Sequence, residues 1–172
     1  MNNRLKQLQT GRSMIEMLGV LAIVGILSAG GIAGYSMAMQ SYKTNLLIER
    51  VNLIVTKART IYKNGNYQGV SNQNLIDSGK LSAKDLENPF GGQLYISSHN
   101  TSDCPTSLLI KGENIPKGTC IDILTTDWGG NGTLCSVRSV TSGKATQEPV
   151  TVSEAKALYC IKDNVQILWY FR

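Results

Sequence analysis

The 172-residue chain contains one histidine, His99, and its four cysteines never fall into a C-x-x-C pair. Structural zinc sites need Cys and His ligands grouped at such short spacings, so no metal is expected. His99 lies in the polar stretch SSHNTS with no acid partner beside it, and reads as a solvated loop residue. Neither a G-x-S-x-G elbow nor a phosphate loop occurs, so nucleophilic and nucleotide chemistry lack a carrier. The chain therefore reads as a non-enzyme without cofactor. Its net charge is a scattered +5 with no run of five basic residues, which argues against a nucleic-acid partner.

What the chain does have is unevenly placed. Apolar residues make up 42%, an ordinary share, yet a large part of them falls in residues 14–39, and the remainder is rich in Gly, Ser, Thr and Asn. In residues 17–34 the one polar side chain is Ser28. That is near the lower limit of the about 17–25 residues a membrane-spanning helix requires. Arg4, Lys6 and Arg12 precede the run and only Lys43 follows it, so positive-inside reasoning puts the N-terminus in the cytoplasm. Three readings are open: a secretory signal cut near Ser28-Ala29-Gly30, a plain signal anchor, or a segment whose special feature is the carboxylate of Glu16 at its mouth. The apolar run does not stop at the small residues a secretory signal would end on, and a plain anchor leaves unexplained a charge that is costly unless something pairs with it.

A short basic leader ends in Gly11, and Met14-Ile15-Glu16-Met17-Leu18 then opens the apolar run. This pattern resembles the class III signal of type IV pilins and pseudopilins. The resemblance implies cleavage after Gly11 by a prepilin peptidase on the cytoplasmic side, so that the mature chain begins at Arg12 with Glu16 as its fifth residue. The family usually begins its mature chains with Phe, Met or Leu and commonly methylates the new amine, so Arg12 is a departure from the pattern. The resemblance further implies that Glu16 pairs with the freed amine of a neighbouring subunit as helices stack into a filament. In a low-dielectric core such a pairing is strong and forms in one register only, which would set the axial step.

After Tyr35, apolar residues Leu47, Val51, Ile54, Ala58 and Ile61 recur at steps of three and four, the stripe of an amphipathic helix, and Asn64-Gly65 supplies its stop. The sequence thus predicts one helix from about Ser13 to Tyr62, lipidic and then amphipathic. Gly30-x-x-x-Gly34 permits close helix approach. Pilins often carry a proline in this stretch; here Gly30 and Gly31 are the expected place where the helix softens on entering a fibre, since each glycine costs about 1 kcal/mol of helix stability relative to Ala.

Residues 65–172 read as a mixed α and β head, giving an α+β chain: a long N-terminal helix packed on an antiparallel sheet. A short helix and a second turn precede Asn88-Pro89-Phe90-Gly91-Gly92, a turn by composition that is also similar to the pilin αβ-loop. Strands are predicted at Gln93–Ser98 and Ser107–Lys111, and a short helix with Ile121, Leu124 and Trp128 on one face. Thr151-x-x-Glu154 is a capping box opening a segment that runs to Cys160. The final NVQILWYFR is apolar on both alternating sets, as a strand buried on both faces would be.

Four cysteines allow three pairings. The resemblance to type IVb pilins implies Cys120 with Cys160, closing a D-region of about residues 120–160, and leaves Cys104 with Cys135. Thr126–Thr133 could suggest a calcium loop, but its oxygen ligands are too few, and a surface turn fits better. The expected organisation is a leader (1–11), an assembly helix (12–64) and a head (65–172). The expected function is a structural subunit of a bacterial type IV pilus, held in the inner membrane with its head in the periplasm and moved into a surface homopolymer by an assembly platform and ATPase. Alternatives are a pseudopilin or minor pilin of a type II secretion or DNA-uptake system, and a membrane-anchored periplasmic binding domain.

Overall fold

The computed structural model describes residues 14–101, 104–129 and 134–172; Gly11 and Arg12 lie outside the described residues. Helix α1 (Met14–Ile61) is followed by α2 (Asn72–Asp77), a 3-10 turn (Ala83–Leu86), β1 (Tyr95–His99), β2 (Ser107–Ile115), α3 (Lys117–Thr125), β3 (Leu134–Ser139), β4 (Ala145–Thr146), a single α turn (Val152–Glu154) continued by a π turn (Ala155–Tyr159), and β5 (Val165–Phe171). The strands form one sheet in the order β1-β2-β5-β3-β4, with every pair antiparallel. The fold is α+β, with two disulfides. The chain divides into two compact units, the first ending at Met39 and the second being Gln40–Arg172.

In the second unit the amphipathic stripe does what its spacing requires. Leu47, Val51, Ile54 and Ala58 are fully buried and share one core with Leu108, Ile110, Ile167 and Trp169 of the sheet. Ile61 departs from the stripe: it is the last helical residue and stays 36% exposed. The chain then reverses through Gly65, whose φ of +68° is left-handed and suits glycine. Arg59 donates to the carbonyl of Arg172 (2.6 Å), tying the chain end to the helix.

The carboxyl-terminal strand holds the centre of the sheet, where both edges are paired. Val165, Ile167, Trp169 and Phe171 face the core. On the other face Tyr170 is buried too, but beneath the Cys104–Cys135 disulfide rather than a second layer, while Gln166 and Leu168 are half-exposed. Gly112 of β2 leaves little room for a side chain in that packing. A Cβ there would lie 3.1 Å from the Trp169 ring and 3.2 Å from Ile115, closer than such contacts normally allow.

Three expectations need correction. His99 is the last residue of β1 rather than a solvated loop residue; it is partly buried, with its ring 5.0 Å from that of Tyr170. Trp128 is not on a helix. The helix stops at Thr125 because Thr126 turns extended (ψ 134°), and Trp128 folds back so that its Nε1 donates to the carbonyl of Ile123 (2.9 Å). Strand β2 also runs past Lys111 to Ile115, through an irregularity with Asn114 at φ +57°. β3 and β4 carry no prediction from the sequence.

A buried polar contact joins α1 to α3. Thr44 Oγ1 donates to the carbonyl of Gln40 (3.0 Å) and lies 2.8 Å from Thr119 Oγ1, which is then its donor. Both threonines are buried. Replacing Thr44 with Val is expected to destabilise the head by about 1–3 kcal/mol, because Thr119 is left without its acceptor. The double variant Thr44→Val/Thr119→Val should recover most of that loss. Chemical denaturation of the four proteins of this cycle checks both statements.

Candidate functional site

Within the first unit, residues 17–34 of α1 present an exposed surface whose one polar side chain is Ser28. Met14, Ile15, Leu18, Leu21, Ile26, Leu27 and Ile32 are 62–84% exposed. The 18-residue window of highest mean hydropathy, at 2.1, has none of its residues buried. Among the described residues, α1 is the one helix long and apolar enough to cross a membrane. Each Leu or Ile left this way forgoes about 1.5–3 kcal/mol of burial, so the surface demands an apolar environment from outside the chain. Glu16 sits exposed in the first turn of α1, at the end where a helix favours a negative charge. Helical structure continues through Gly25, Gly30, Gly31 and Gly34. A Cβ added at any of these four would meet nothing within 4 Å, so among the described residues no contact requires glycine there.

The head carries two covalent clasps on opposite faces of the sheet. Cys120 of α3 bonds Cys160 at the end of the π turn (Cα–Cα 6.0 Å), and both belong to the main core. Cys104 bonds Cys135 of β3 (Cα–Cα 5.9 Å) and forms a small second cluster with Tyr170, edged by Leu109 and Leu168. The segment closed by Cys120 and Cys160 contains β3, β4 and the capping box. There Thr151 Oγ1 accepts from Glu154 N (3.3 Å), and Glu154 Oε2 accepts from Thr151 N (3.0 Å). Asp127 and Gly129 of the suggested calcium loop make a short Asx turn (3.0 Å); residues 130–133 lie outside the described residues. Among the described residues no group of three or more His, Cys, Asp or Glu could hold a metal ion.

Three surface carboxyls are held below their ordinary range by hydrogen bonds to their charged forms. Asp85 is held down mainly by the Ser82 backbone N–H, Glu113 by the Lys111 ammonium at 2.8 Å, and Glu154 by the Thr151 hydroxyl. A depressed folded value means stability that is present above the ordinary carboxylate range and lost as pH falls through the lowered values. Burial raises Asp122 instead, so protonating it works the other way. Three against one, the melting temperature is expected to fall as pH drops below about 4. Glu154→Gln should make that decline shallower, as thermal melts across pH will show.

A long helix with an exposed apolar first half and a carboxylate in its first turn, whose second half packs on an antiparallel sheet clasped by two disulfides, defines the type IV pilin class. The PilS N-terminal family model matches residues 41–170, and the chain belongs to that family. It is 30% identical over 93 residues to the toxin coregulated pilin of Vibrio cholerae serotype O1, a match covering 49% of this chain and 42% of that one; this chain therefore spans less than half of that relative. It is 22% identical to the major structural subunit of the bundle-forming pilus of Escherichia coli O127:H6, across 96% of this chain and 95% of that one. In fold it is similar to the crystal structure of TcpA, a type IV pilin from the Vibrio cholerae El Tor biotype (TM-score 0.59, 14% identity, 76% of this chain and 99% of that one). It is also similar to a type IVb pilin from Salmonella typhi (TM-score 0.54, 15% identity, 74% and 99%).

Proposed function

We propose that the chain is the structural subunit of a bacterial type IVb-like pilus and has no enzymatic activity of its own. A prepilin peptidase would cut it after Gly11, and the mature protein beginning at Arg12 would wait in the inner membrane with its head in the periplasm. An assembly platform and ATPase would then draw it into a surface homopolymer through its N-terminal helix. The observation that carries this reading is the exposed apolar half of α1 with Glu16 in its first turn. A plain anchor needs the apolar length but gives the carboxylate no task. Relatives named as pilus subunits support the same conclusion, one of them aligned along nearly the whole chain.

In the fibre, Glu16 would pair with the amine of a neighbouring Arg12, and Gly30 and Gly31 would let the helix loosen as it leaves lipid. Because those glycines have no packing duty among the described residues, this softening is a use the isolated fold leaves open to them.

Mass spectrometry of sheared surface filaments tests the reading. The expected result is this protein as the most abundant component, with its N-terminus at Arg12. A trace presence would make it a minor pilin or pseudopilin, and a membrane-retained protein starting at Met1 would make it an anchored binding domain.

A further inference from the structure

The sheet face opposite the main core holds a feature that the assembly reading does not use. A cavity of about 230 Å³ opens there, lined by His99, Thr101, Ser136, Arg138, Gln147 and Tyr170, with Cys104 and Ala145 at its margins. Among the described residues no carboxylate lines it. The strand register assembles it from three elements distant in sequence. Tyr170 of β5 lies opposite both Leu109 of β2 and Ser136 of β3, and Arg138 lies one step along the same face, opposite Leu168. Side chains two residues apart on adjacent strands are within reach of each other. Arg138 is exposed, makes no ion pair with a described residue, and sits near enough to Tyr170 for its charge to act on the phenol.

The geometry points to a binding subsite for a carboxylate-bearing sugar ring. The guanidinium of Arg138 is a planar fork that matches a carboxylate with two parallel hydrogen bonds. The partly exposed His99 ring, held by its contact with the buried Tyr170 ring (centroids 5.0 Å apart), offers an aromatic surface against which the C–H face of a ring can lie. Thr101, Ser136 and Gln147 add hydroxyl and amide groups that serve ring hydroxyls as donors or acceptors. The size fits: drug-sized ligands occupy pockets of about 300–1,000 Å³, so this smaller space suits one ring. Burial pushes the Tyr170 phenol up, only partly offset by Arg138, so at neutral pH it remains an O–H donor and not a repelling anion. The Cys104–Cys135 disulfide ties Cys104 to β3 beside the cavity, which helps hold Ser136 and Arg138 in place before a ligand arrives.

The test needs no fibre, so its outcome is separate from that of the assembly reading. Full-length protein in detergent micelles, labelled at His and Tyr, is titrated with glucuronate, glucose and acetate and followed by NMR. Glucuronate should shift the single His99 ring signal with millimolar affinity; glucose and acetate should each bind about tenfold more weakly, since each lacks one half of the recognition. Arg138→Gln should weaken glucuronate binding by about tenfold, the effect of losing charge-assisted hydrogen bonds, without moving the melting temperature, and Arg138→Lys should restore only part. Unchanged affinity in Arg138→Gln, equal responses to glucose and glucuronate, or a His99 signal that does not move would each overturn the assignment. Acetate binding as tightly as glucuronate would equally exclude a sugar site.

Discussion

Replacing Glu16 with valine is expected to abolish surface fibres while leaving normal amounts of protein in the membrane. The two halves of that result have different physical causes. Valine is an apolar residue in an apolar stretch, so insertion and retention in lipid lose nothing and gain slightly. Assembly, in contrast, would bury the amine of Arg12 against a position that no longer carries its counter-charge. Removing one partner of a buried ion pair costs about 3–5 kcal/mol, or roughly a hundredfold to several thousandfold in each subunit addition. Glu16→Gln should fail similarly, since an amide hydrogen bonds but does not neutralise; Glu16→Asp keeps the charge one methylene short and should retain some fibres. Electron microscopy of sheared fractions, with immunoblots of membranes, separates fibre loss from protein loss. Normal fibres from a stably produced Glu16→Val protein would falsify the pairing and leave Glu16 as a headgroup-level charge.

The second large effect is expected from the Cys120–Cys160 disulfide. The two cysteines are 40 residues apart in sequence and both fully buried. In the chain-entropy treatment, closing a loop of that length contributes about 4 kcal/mol. Serine at both positions would remove that constraint and place two hydroxyls in an apolar core, which adds a desolvation penalty. The Cys120→Ser/Cys160→Ser protein is therefore expected to melt roughly 8–16 °C lower than the parent. The Cys104–Cys135 bond spans a separation of 31 and has almost the same entropic worth. It belongs to the smaller cluster, however, so its loss should cost less packing and leave the main core intact. Calorimetry of the full-length protein in detergent, for both double-serine variants, gives the ranking. A fall of less than about 2 °C for the Cys120/Cys160 pair would show that α3 and the π turn hold together without it.

Features that rest on a local signal are legible in the sequence. The long helix is written in residues that neighbour each other on one surface: an all-round apolar run, then a stripe at Leu47, Val51, Ile54 and Ala58. The capping box at Thr151 and Glu154 and the turn at Asn88–Gly92 depend on only a few consecutive residues, and both have the hydrogen bonds their composition implies. Strand β3 is harder to read: its burial alternates from Cys135 to Ser139, but a bulge between Leu134 and Ser136 puts Cys135 on the face opposite Val137. Its run is short and follows a glycine-rich stretch, so the period-two signal is weak. Apolar spacing alone extends a helix past Thr125 to Trp128, whereas the chain turns extended at Thr126 and the indole returns to the core by a bond to Ile123.

By itself, then, the sequence determined that this protein has a membrane-length apolar helix led by a carboxylate, an amphipathic continuation and a disulfide-bonded α+β head, because these follow from composition and periodicity along the chain. Only the tertiary structure decided which strands become neighbours, that β5 holds the centre, and that His99, Arg138 and Tyr170 share one cleft. The reason is that strand register is set by contacts between segments far apart in sequence. Residues 99, 138 and 170 carry no mutual pattern until the sheet places β1, β3 and β5 on one surface.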